Sequence, residues 1–484
     1  MWDTWIFPWE DSFHLFYLEN FGSGSTHVGH WVGQDLLHWE ERQSIPVITG
    51  KPGDWNAEGP ILTGMVVHRE GKFYLYIGAT REGVELTGVF ISDDLDVWSP
   101  YHGNPVFRPA APHYLDRPVP PFFSSKLDFR DPFIFFRPED RHYHALLHGR
   151  LPQWSHEHTG AVVAHMRSAD LLSWEHLQPV DAPTGRFEKT EVPDLFAMEE
   201  RHYLAFTSRS RGGIRLSTGG RDNADGTFYA ISDSWDGPFS LPADYLLVGA
   251  EKGVMGPYAG RTLVCARGRI LYHHVVGERP ALAAPKEVRT RADGSLYLEY
   301  MPLLEDLETE TLCSSATGLS CFEVADWGEW EEREGRIRGK AANVGSSCRI
   351  AAGVSDFHLT CTVRMISAVG GGVVLRHRDN RGVWIYFNRR LLQMEMGGAS
   401  YRPFMGWSGL GGGDKWRCLL EPGREYNLRC FARDEHFELY LDNRWIFTLV
   451  LADEARVGDI ELFVEGGEVE FSNVRIASIE PLGG

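Results

Sequence analysis

Three short stretches of the sequence read D-L-x-x-W: Asp35-Leu36-Leu37-His38-Trp39, Asp94-Leu95-Asp96-Val97-Trp98 and Asp170-Leu171-Leu172-Ser173-Trp174. A related stretch, Ser232-Asp233-Ser234-Trp235, follows where a fourth copy is due. Each copy comes after an apolar run, such as GVFIS at residues 88–92. An aspartate after a strand favours an Asx-type turn, and the tryptophan is suited to cover the edge of a small sheet. Three copies in phase predict a repeated sheet unit.

Aromatic-rich strands recur in the same phase, each after a turn with a charged residue. Their starts lie about 60 to 70 residues apart, somewhat longer than the ~40–50 residues of ordinary propeller repeats. Five radial units of this kind predict a five-bladed β-propeller over residues 1–300. The five segments are 13–20 (FHLFYLEN), 72–80 (KFYLYIGAT), 142–150 (HYHALLHGR), 202–210 (HYLAFTSRS) and 269–277 (RILYHHVVG).

The pattern changes after Tyr300. Residues 301–325 mix acidic and small residues, which is typical of a linker, and residues 326–484 hold short alternating strands separated by turn signals. Such strands predict a β-sandwich. The predicted fold is therefore all-β, a five-bladed propeller followed by a C-terminal β-sandwich. The clearest sandwich strands are 357–365, 372–376, 383–387, 437–441, 445–449 and 460–464.

Composition excludes several classes of function. The 484 residues carry a net charge of −19, which disfavours nucleic acid and anionic membranes as partners. No apolar run approaches the ~20 residues that span a bilayer. Since residues 1–5 lack the basic and hydrophobic parts of a signal peptide, a cytoplasmic protein is expected, with an already removed signal left open. The seven cysteines form no C-x-x-C pair, so reduced thiols are expected and a zinc site is not.

Three acidic residues stand directly before predicted inner strands. Asp3 lies within WDTW, Asp131 within FRDPF and Glu191 within TEVPDLF. We interpret them as equivalent positions in blades one, three and four, whose side chains meet at one mouth of the central channel. Clustered carboxylates shift one another's pKa values, and glycoside cleavage needs one carboxylic acid and one carboxylate. The alternative for each residue alone is a turn cap.

Several motifs resemble the glycoside hydrolase clan of five-bladed propellers shared by families 32, 43, 62 and 68, and family 32 (invertases and fructanases) in particular. Arg130-Asp131-Pro132 matches its R-D-P motif, and EVPDLF at 191–196 is similar to its E-C-P-D-L-F motif. HVGHWVGQDLLHW at 27–39 resembles its W-G-H-A-V-S-x-D-L-x-H-W segment. Asn104-Pro105-Val106 matches its N-P-V. Family 32 also pairs a propeller with a β-sandwich, so the resemblance covers most of the chain.

The resemblance implies a role for each acid. Asp3 would be the nucleophile, Asp131 would hold sugar hydroxyls and stabilise the transition state, and Glu191 would be the general acid/base. Arg130 would hydrogen-bond the neighbouring carboxylate and keep it ionised. The implied partner is an oligo- or polysaccharide cleaved with retention, with a β-D-fructofuranoside as the first expectation. The resemblance implies no metal and no cofactor. The oligomeric state is left open.

The chain also departs from the family pattern around the expected fructose site. The family's N-D-P-N is Trp2-Asp3-Thr4-Trp5 here, and further departures are Leu18, Val28, Trp31 and Val192. Trp2, Trp5 and Trp31 are candidates to stack on a sugar ring, with core packing as the alternative. An arabinofuranosidase or other pentofuranosidase, acting with inversion, and a carbohydrate-binding propeller without turnover are the remaining alternatives.

Overall fold

The computed structural model describes residues 1–19, 24–117, 127–152, 160–209, 224–251, 256–277, 281–324, 328–379, 381–400, 408–451 and 456–480. Within these ranges the regular structure is almost entirely β, with short 3-10 helices at Thr184–Arg186 and Pro302–Leu307. This confirms the all-β prediction. Neither helix has the length and apolar composition that crossing a membrane would require, and the described residues hold no other helix.

Four separate antiparallel sheets follow one another along the chain, with strands in chain order except that the fifth strand of the first sheet pairs with the third. They form the first four blades of the propeller. Blade one has β1 (Trp2–Trp9), β2 (Ser12–Leu18), β3 (His27–Gly33), β4 (Glu40–Glu41) and β5 (Ile45–Pro46). Blade two has β6 (Glu58–Arg69), β7 (Lys72–Arg81), β8 (Val84–Ser92) and β9 (Ser99–Pro100). Blade three has β10 (Arg130–Arg137), β11 (His142–Arg150), β12 (Ala161–Ser168) and β13 (Glu175–His176). Blade four has β14 (Glu191–Met198), β15 (Arg201–Ser208), β16 (Ala224–Ser232) and β17 (Leu246–Glu251).

Blade five is continuous with the sheets that follow it. Its first strand pairs with the second, which pairs in turn with both the third and the fourth, and the fourth pairs with the fifth. The pair Glu299–Arg444 then joins this fifth strand to a strand of the sandwich. The strands of blade five are β18 (Pro257–Cys265), β19 (Gly268–Val275), β20 (Ala281–Leu282), β21 (Lys286–Thr290) and β22 (Leu296–Glu299).

The repeated D-L-x-x-W motif forms the predicted turn. Asp94 Oδ1 accepts the backbone N–H groups of Asp96 and Val97 at 3.0 and 2.9 Å. Asp170 Oδ1 does the same for the N–H groups two and three residues on, at 2.9 and 2.7 Å. Trp174 Nε1 then donates to the Leu171 carbonyl at 3.0 Å, which fixes the indole against the turn. The Asx-turn prediction is confirmed.

The tryptophans of the motif pack across the interfaces between neighbouring blades. Trp98 of blade two lies edge-on to Phe16 of blade one, with ring centres 6.4 Å apart. Trp235 of blade four lies 5.8 Å from Phe135 of blade three. Trp39 of blade one packs in an apolar cluster with blade five (Leu263, Ile270 and Tyr272). Each indole therefore covers a neighbouring blade, and the last contact closes the ring.

The remaining strands form the C-terminal sandwich around one large apolar core. They are β23 (Glu308–Ser314), β24 (Glu323–Val324), β25 (Glu329–Arg333), β26 (Arg336–Val354), β27 (Phe357–Met365), β28 (Gly370–Arg378), β29 (Arg381–Asn388), β30 (Gln393–Ser400), β31 (Ser408–Arg417), β32 (Glu425–Arg433), β33 (His436–Leu441), β34 (Arg444–Val450) and β35 (Gly458–Ile479).

One part of the predicted linker 301–325 is different in the structure. Strand β23, at 308–314, pairs with the C-terminal part of β35 and so belongs to the sandwich. Its partner lies more than 160 residues away in the sequence, which explains why the local sequence pattern did not reveal it. The wider division into a domain at 1–300 and a domain at 326–484 stays a prediction.

An apolar cluster joins the propeller to the sandwich. Phe196 and Tyr229 of blade four and Leu298 of blade five share it with Tyr440 and Trp445 of the sandwich. Because all five side chains are less than a tenth exposed, the two parts are packed against each other over a buried surface.

Candidate active site

The inner strands of four blades begin with the same distortion. The pairing register breaks near the start of β1, β10, β14 and β18. At each break one residue has a positive φ: Asp3 (35°), Asp131 (61°), Val192 (50°) and Ala259 (52°). A β-bulge adds a residue to one strand and redirects the side chains beside it. These bulges turn the starts of the inner strands toward a common site.

The register corrects the predicted equivalence of the three acids. Arg130, Glu191 and Tyr258 are each the last residue paired before the break in blades three, four and five. Asp131 comes one residue later, inside the bulge, as does Asp3 in blade one. Glu191 is therefore equivalent to Arg130 and not to Asp131. The prediction was wrong by one residue because a bulge position leaves no mark in the local sequence pattern.

Arg130 is the hub of the site. Its guanidinium donates to Glu85 Oε2 at 2.7 Å, to Asp128 Oδ1 at 2.6 Å and to Glu191 Oε1 at 2.5 Å. Its Nε lies 3.5 Å from Asp131 Oδ2. Arg130 is only 5% exposed, so these charges interact in a medium of low dielectric constant, where charge-assisted hydrogen bonds are strong. Arg130 is thus a single buried cation in contact with four carboxyl groups.

Glu191 carries the strongest cationic surroundings of the three acids. Lys189 Nζ donates to its Oε1 at 3.0 Å, beside Arg130, and the Tyr258 hydroxyl donates to its Oε2. Burial works to raise the pKa of Glu191, but Lys189, Arg130 and the Tyr258 hydrogen bond together hold that pKa well below its ordinary value. Glu191 is ionised in the free site at neutral pH.

Asp131 is in the opposite state. Burial raises the pKa of Asp131 to about 8, and repulsion by Glu191 and Asp3 adds to this against the attraction of Arg130. Its Oδ2 accepts the Val192 backbone N–H at 3.2 Å. The free site therefore holds a proton on Asp131 at neutral pH.

Asp3 has an intermediate proton affinity. Thr63 Oγ1 of blade two donates to Asp3 Oδ2 at 2.5 Å, and His274 Nδ1 of blade five lies 3.6 Å from Oδ1. Burial raises the pKa of Asp3 to about 6, with the Thr63 hydrogen bond acting against it. Three carboxyl groups with well-separated proton affinities in one site are suited to acid–base and nucleophilic chemistry at a glycosidic bond.

Comparison with known families agrees with this chemistry. Residues 5–243 match the sequence profile described as the glycosyl hydrolases family 32 N-terminal domain. The protein is a family 32-like glycoside hydrolase. No curated protein sequence matches the chain significantly.

Solved structures share the fold of the family 32-like hydrolase over nearly its whole length. The sucrose-6-phosphate hydrolase of Lactobacillus gasseri is 14% identical, with a TM-score of 0.69 covering 98% of this chain and 89% of that one. The GH32 β-fructofuranosidase of Bombyx mori is 15% identical, with a TM-score of 0.68 covering 100% and 92%. The exo-inulinase of Aspergillus awamori is 15% identical, with a TM-score of 0.66 covering 100% and 96%. At such low identities the likeness shows the fold.

Two of the three predicted sugar-stacking tryptophans pack against apolar groups of the blades. Trp5 of the hydrolase is 2% exposed and stacks on Phe16 in the core between blades one and two. The prediction that Trp5 binds substrate is therefore wrong, and its alternative, core packing, applies. Trp31 packs edge-on against Tyr17, with ring centres 5.5 Å apart, in the seam toward blade five.

Trp2 lies beside the acids and belongs to a patch of departures from the family pattern. Its ring centre is 4.8 Å from that of His274. Trp2 is paired with Leu18, and Leu18 with Val28, so these three residues are neighbours on adjacent strands of blade one. Leu18 and Val28 are completely buried, and Val192 is 1% exposed. Trp2, Leu18 and Val28 therefore lie in one apolar cluster of blades one and two, and Val192 lies in another with Tyr258.

Some residues of the site were not found from the sequence. Tyr258 is the last paired residue before the bulge in blade five, as Glu191 is in blade four, so an alignment of blade starts would have pointed to it. Lys189 stands two residues before Glu191, the spacing that places two side chains on one face of an extended chain. Thr63 and Glu85 lie in blade two and carry no local signal, because only the assembled ring brings them to the acids.

No metal centre is found in the part of the chain that the structure describes, where no three His, Cys, Asp or Glu side chains are grouped to hold an ion. The seven cysteines are all free thiols. The residues placed around the acids are cations, hydroxyls and aromatic rings, which suits a polar organic ligand.

Proposed function

We propose that this family 32-like hydrolase cleaves a β-D-fructofuranoside linkage with net retention, with Asp3 as nucleophile, Glu191 as general acid/base and Asp131 as the ligand of sugar hydroxyls. The observation that carries the proposal is the hydrogen-bonded cluster in which Arg130 donates to Glu191 at 2.5 Å and lies 3.5 Å from Asp131. Glu191 and Arg130 act electrostatically on Asp3, and Asp3 acts electrostatically on Asp131.

The activities of the structural relatives support the same substrate class. They include a β-fructofuranosidase of Bombyx mori, a mutant of which was solved in complex with sucrose. A fructan exohydrolase of Cichorium intybus was solved with 1-kestose. The apolar patch of Trp2, Leu18 and Val28 makes the sugar the part of the proposal that most needs a direct test.

In the proposed reaction Asp3 attacks the anomeric carbon while Glu191 protonates the leaving oxygen. Asp3 must be ionised for this step, and its pKa of about 6 lies above that of Glu191, so activity falls as pH rises above about 6. Glu191 must hold a proton, although in the free site the proton resides on Asp131 and Glu191 is ionised. The Lys189 and Arg130 charges thus limit the fraction of enzyme in the reactive state. In the second step Glu191 removes a proton from a water molecule that attacks the anomeric carbon, and the bond between that carbon and Asp3 breaks.

The test is hydrolysis of a furanoside panel by the parent enzyme, Asp3→Ala and Glu191→Gln. The panel holds sucrose, inulin and levan oligosaccharides, and aryl α-L-arabinofuranoside and β-D-fructofuranoside. Proton NMR of the first-formed sugar reports the anomeric configuration. We expect a fructoside to be cleaved with retention and each variant to lose at least a thousandfold in kcat.

Other outcomes would change the proposal in defined ways. Cleavage of the arabinofuranoside alone would replace the substrate, and an inverted product would remove Asp3 as a covalent nucleophile. Full activity in Asp3→Ala would contradict its role outright. Azide added to Asp3→Ala provides the control: if Asp3 is the nucleophile, azide attacks the substrate in its place and the product is a glycosyl azide of inverted configuration.

A further inference from the structure

A chain of buried polar groups connects the sandwich to blade five. Lys286, the first residue of β21, is completely buried. Its ammonium group donates to the Ala284 carbonyl at 2.8 Å and to His273 Nε2 at 3.1 Å, and it lies 3.1 Å from Glu438 Oε2 of the sandwich. These three contacts use the three N–H donors of the ammonium group.

Glu438 is fixed as firmly as Lys286. It is 4% exposed and accepts the Ala284 backbone N–H at 2.9 Å on Oε1 and the Tyr440 hydroxyl at 2.9 Å on Oε2. Arg433 of the same sandwich sheet also acts electrostatically on Glu438. Desolvating such a pair is costly, and well-packed apolar residues often serve stability equally well. The pair is therefore a candidate for a role other than stability.

The chain continues from Lys286 to the candidate nucleophile. Because Lys286 donates to Nε2 of His273, the proton of that imidazole is on Nδ1, which donates to the backbone carbonyl of His274 at 3.0 Å. His274 is the next residue on β19, so its ring faces the other side of the blade. That ring is completely buried, with Nδ1 3.6 Å from Asp3 Oδ1.

The ring nitrogens of His274 have few other polar groups with which to interact. Its two nitrogens and Asp3 Oδ1 are buried, and none has a hydrogen-bond partner among the residues that the structure describes. Trp2 and Tyr258 flank the imidazole, with ring centres 4.8 and 5.8 Å away. Burial lowers the pKa of His274 to about 3, so the ring is neutral and offers one N–H donor.

We propose that the sandwich domain positions the nucleophile: Glu438 acts through Lys286 and His273 on His274, whose imidazole orients the Oδ1 side of Asp3. The inference rests on the proposed role of Asp3. Thr63 holds the Oδ2 side at 2.5 Å, so the two contacts together set the rotation of the carboxylate. The other charged or titratable groups that face Asp3 are Glu191, Asp131, Arg130, Arg261 and Tyr258.

The main test replaces the ion pair by apolar residues of similar size, Lys286→Met together with Glu438→Leu. Each single variant leaves one buried charge unpaired and is expected to lower Tm, whereas the double variant is expected to recover most of the loss. The double variant should still lose about tenfold in kcat on a cleaved furanoside, with KM within about twofold. The limb of its kcat profile that Asp3 sets should move to higher pH, because the His274 ring that favours the ionised form of Asp3 is no longer held in place.

Two further comparisons separate positioning from stability. His377→Leu with Glu461→Leu removes another histidine–glutamate hydrogen bond of the sandwich, 2.7 Å long, that is not part of the chain to Asp3, and should leave kcat unchanged. His273→Gln keeps one acceptor for Lys286 and one donor for the His274 carbonyl, and should retain activity. His273→Leu loses both groups and should behave like the double variant.

Carbon-13 NMR titration of the labelled Asp3 carboxyl gives a readout without turnover. A higher Asp3 pKa in the double variant than in the parent supports positioning, even if no furanoside of the panel is cleaved and the nucleophile role fails. A parent that hydrolyses a furanoside, beside a folded double variant with the same kcat, the same pH profile and the same Asp3 titration, would overturn the inference.

Discussion

Lys189 is the residue through which the proton affinity of Glu191 can be changed with least disturbance. Its ammonium group is 3.0 Å from Glu191 Oε1, and its side chain is 27% exposed. In Lys189→Met the pKa of Glu191 rises toward its ordinary value, because one of the cations that lower it is gone. We expect the acidic limb of the kcat/KM profile, which Glu191 sets because its pKa lies below that of Asp3, to move to higher pH. The measurement is kcat/KM between pH 3 and 8 at low salt.

Lys189→Arg is the matched control, since it keeps the charge and should keep the acidic limb in place. The basic limb is expected to stay near pH 6 in both variants, where Asp3 ionises. An acidic limb that stays fixed in Lys189→Met would mean that Glu191 does not supply the titrating acid.

Arg130 gives a second prediction, on stability. In Arg130→Leu the carboxylates of Glu85 and Asp128, which Arg130 contacts at 2.7 and 2.6 Å, lose a buried counter-charge. Breaking a buried pair on one side costs about 3–5 kcal/mol. The free energy of unfolding in urea at pH 7 should fall by about that amount. Arg167→Leu is the control, because its pair with Glu175 is at the surface and is worth less than about 1 kcal/mol.

The three acids could be found from the sequence, and their relation to one another could not. Each stands in a short motif directly before an apolar strand, which is local information. Their proton affinities depend mainly on groups contributed by other blades. Of the groups that set the proton affinity of Glu191, Lys189 is near it in sequence, while Tyr258 is 67 residues away. The one-residue offset of Glu191 is decided by a bulge, which depends on pairing with the next strand.

At the scale of the element, the Asx turns are the parts that sequence predicts best, because all their contacts lie within five residues. In Asp170→Ala the backbone N–H groups of Leu172 and Ser173 lose their acceptor. We expect the free energy of unfolding to fall by about 1 kcal/mol. Asp170→Asn retains an amide oxygen at the same place and should lose only a small part of this. Equal losses in the two variants, measured by urea unfolding, would show that charge and not the turn is responsible.

The elements that the sequence did not predict are those defined by distant partners. Strand β23 was expected to be linker, because its sequence is acidic and only its pairing with β35 makes it a strand. The same holds for Trp5. The sequence made its indole a candidate for sugar stacking, and only its packing against blade two shows that it belongs to the core. An exposed-looking tryptophan next to a catalytic motif and a core tryptophan have the same local signature.

At the scale of the whole molecule, buried histidines make stability depend on pH. Burial lowers the pKa values of His30 and His274 to about 3 and of His148, His165 and His436 to about 4. In the unfolded chain these residues take up protons near their ordinary value of about 6.5. The folded state binds fewer protons between pH 6.5 and about 4, so the stability contributed by neutral histidines is complete above pH 6.5 and is lost as pH falls through this window.

His165 isolates one of these contributions. It is 8% exposed, with Nε2 2.9 Å from His144 Nδ1, and Asp140, Asp236 and Arg167 are the charged groups around it. In His165→Gln the amide can still hydrogen-bond His144 but binds no proton. Between pH 6.5 and about 4, the free energy of unfolding of the variant should therefore fall less steeply with decreasing pH than that of the parent. The two slopes should differ by about 1.4 kcal/mol per pH unit. Urea unfolding at half-unit steps measures both slopes. Since Asp3 and Asp131 have raised pKa values and act in the opposite direction in parent and variant alike, the difference between the two slopes belongs to His165. Identical slopes would mean that His165 is protonated in the folded protein.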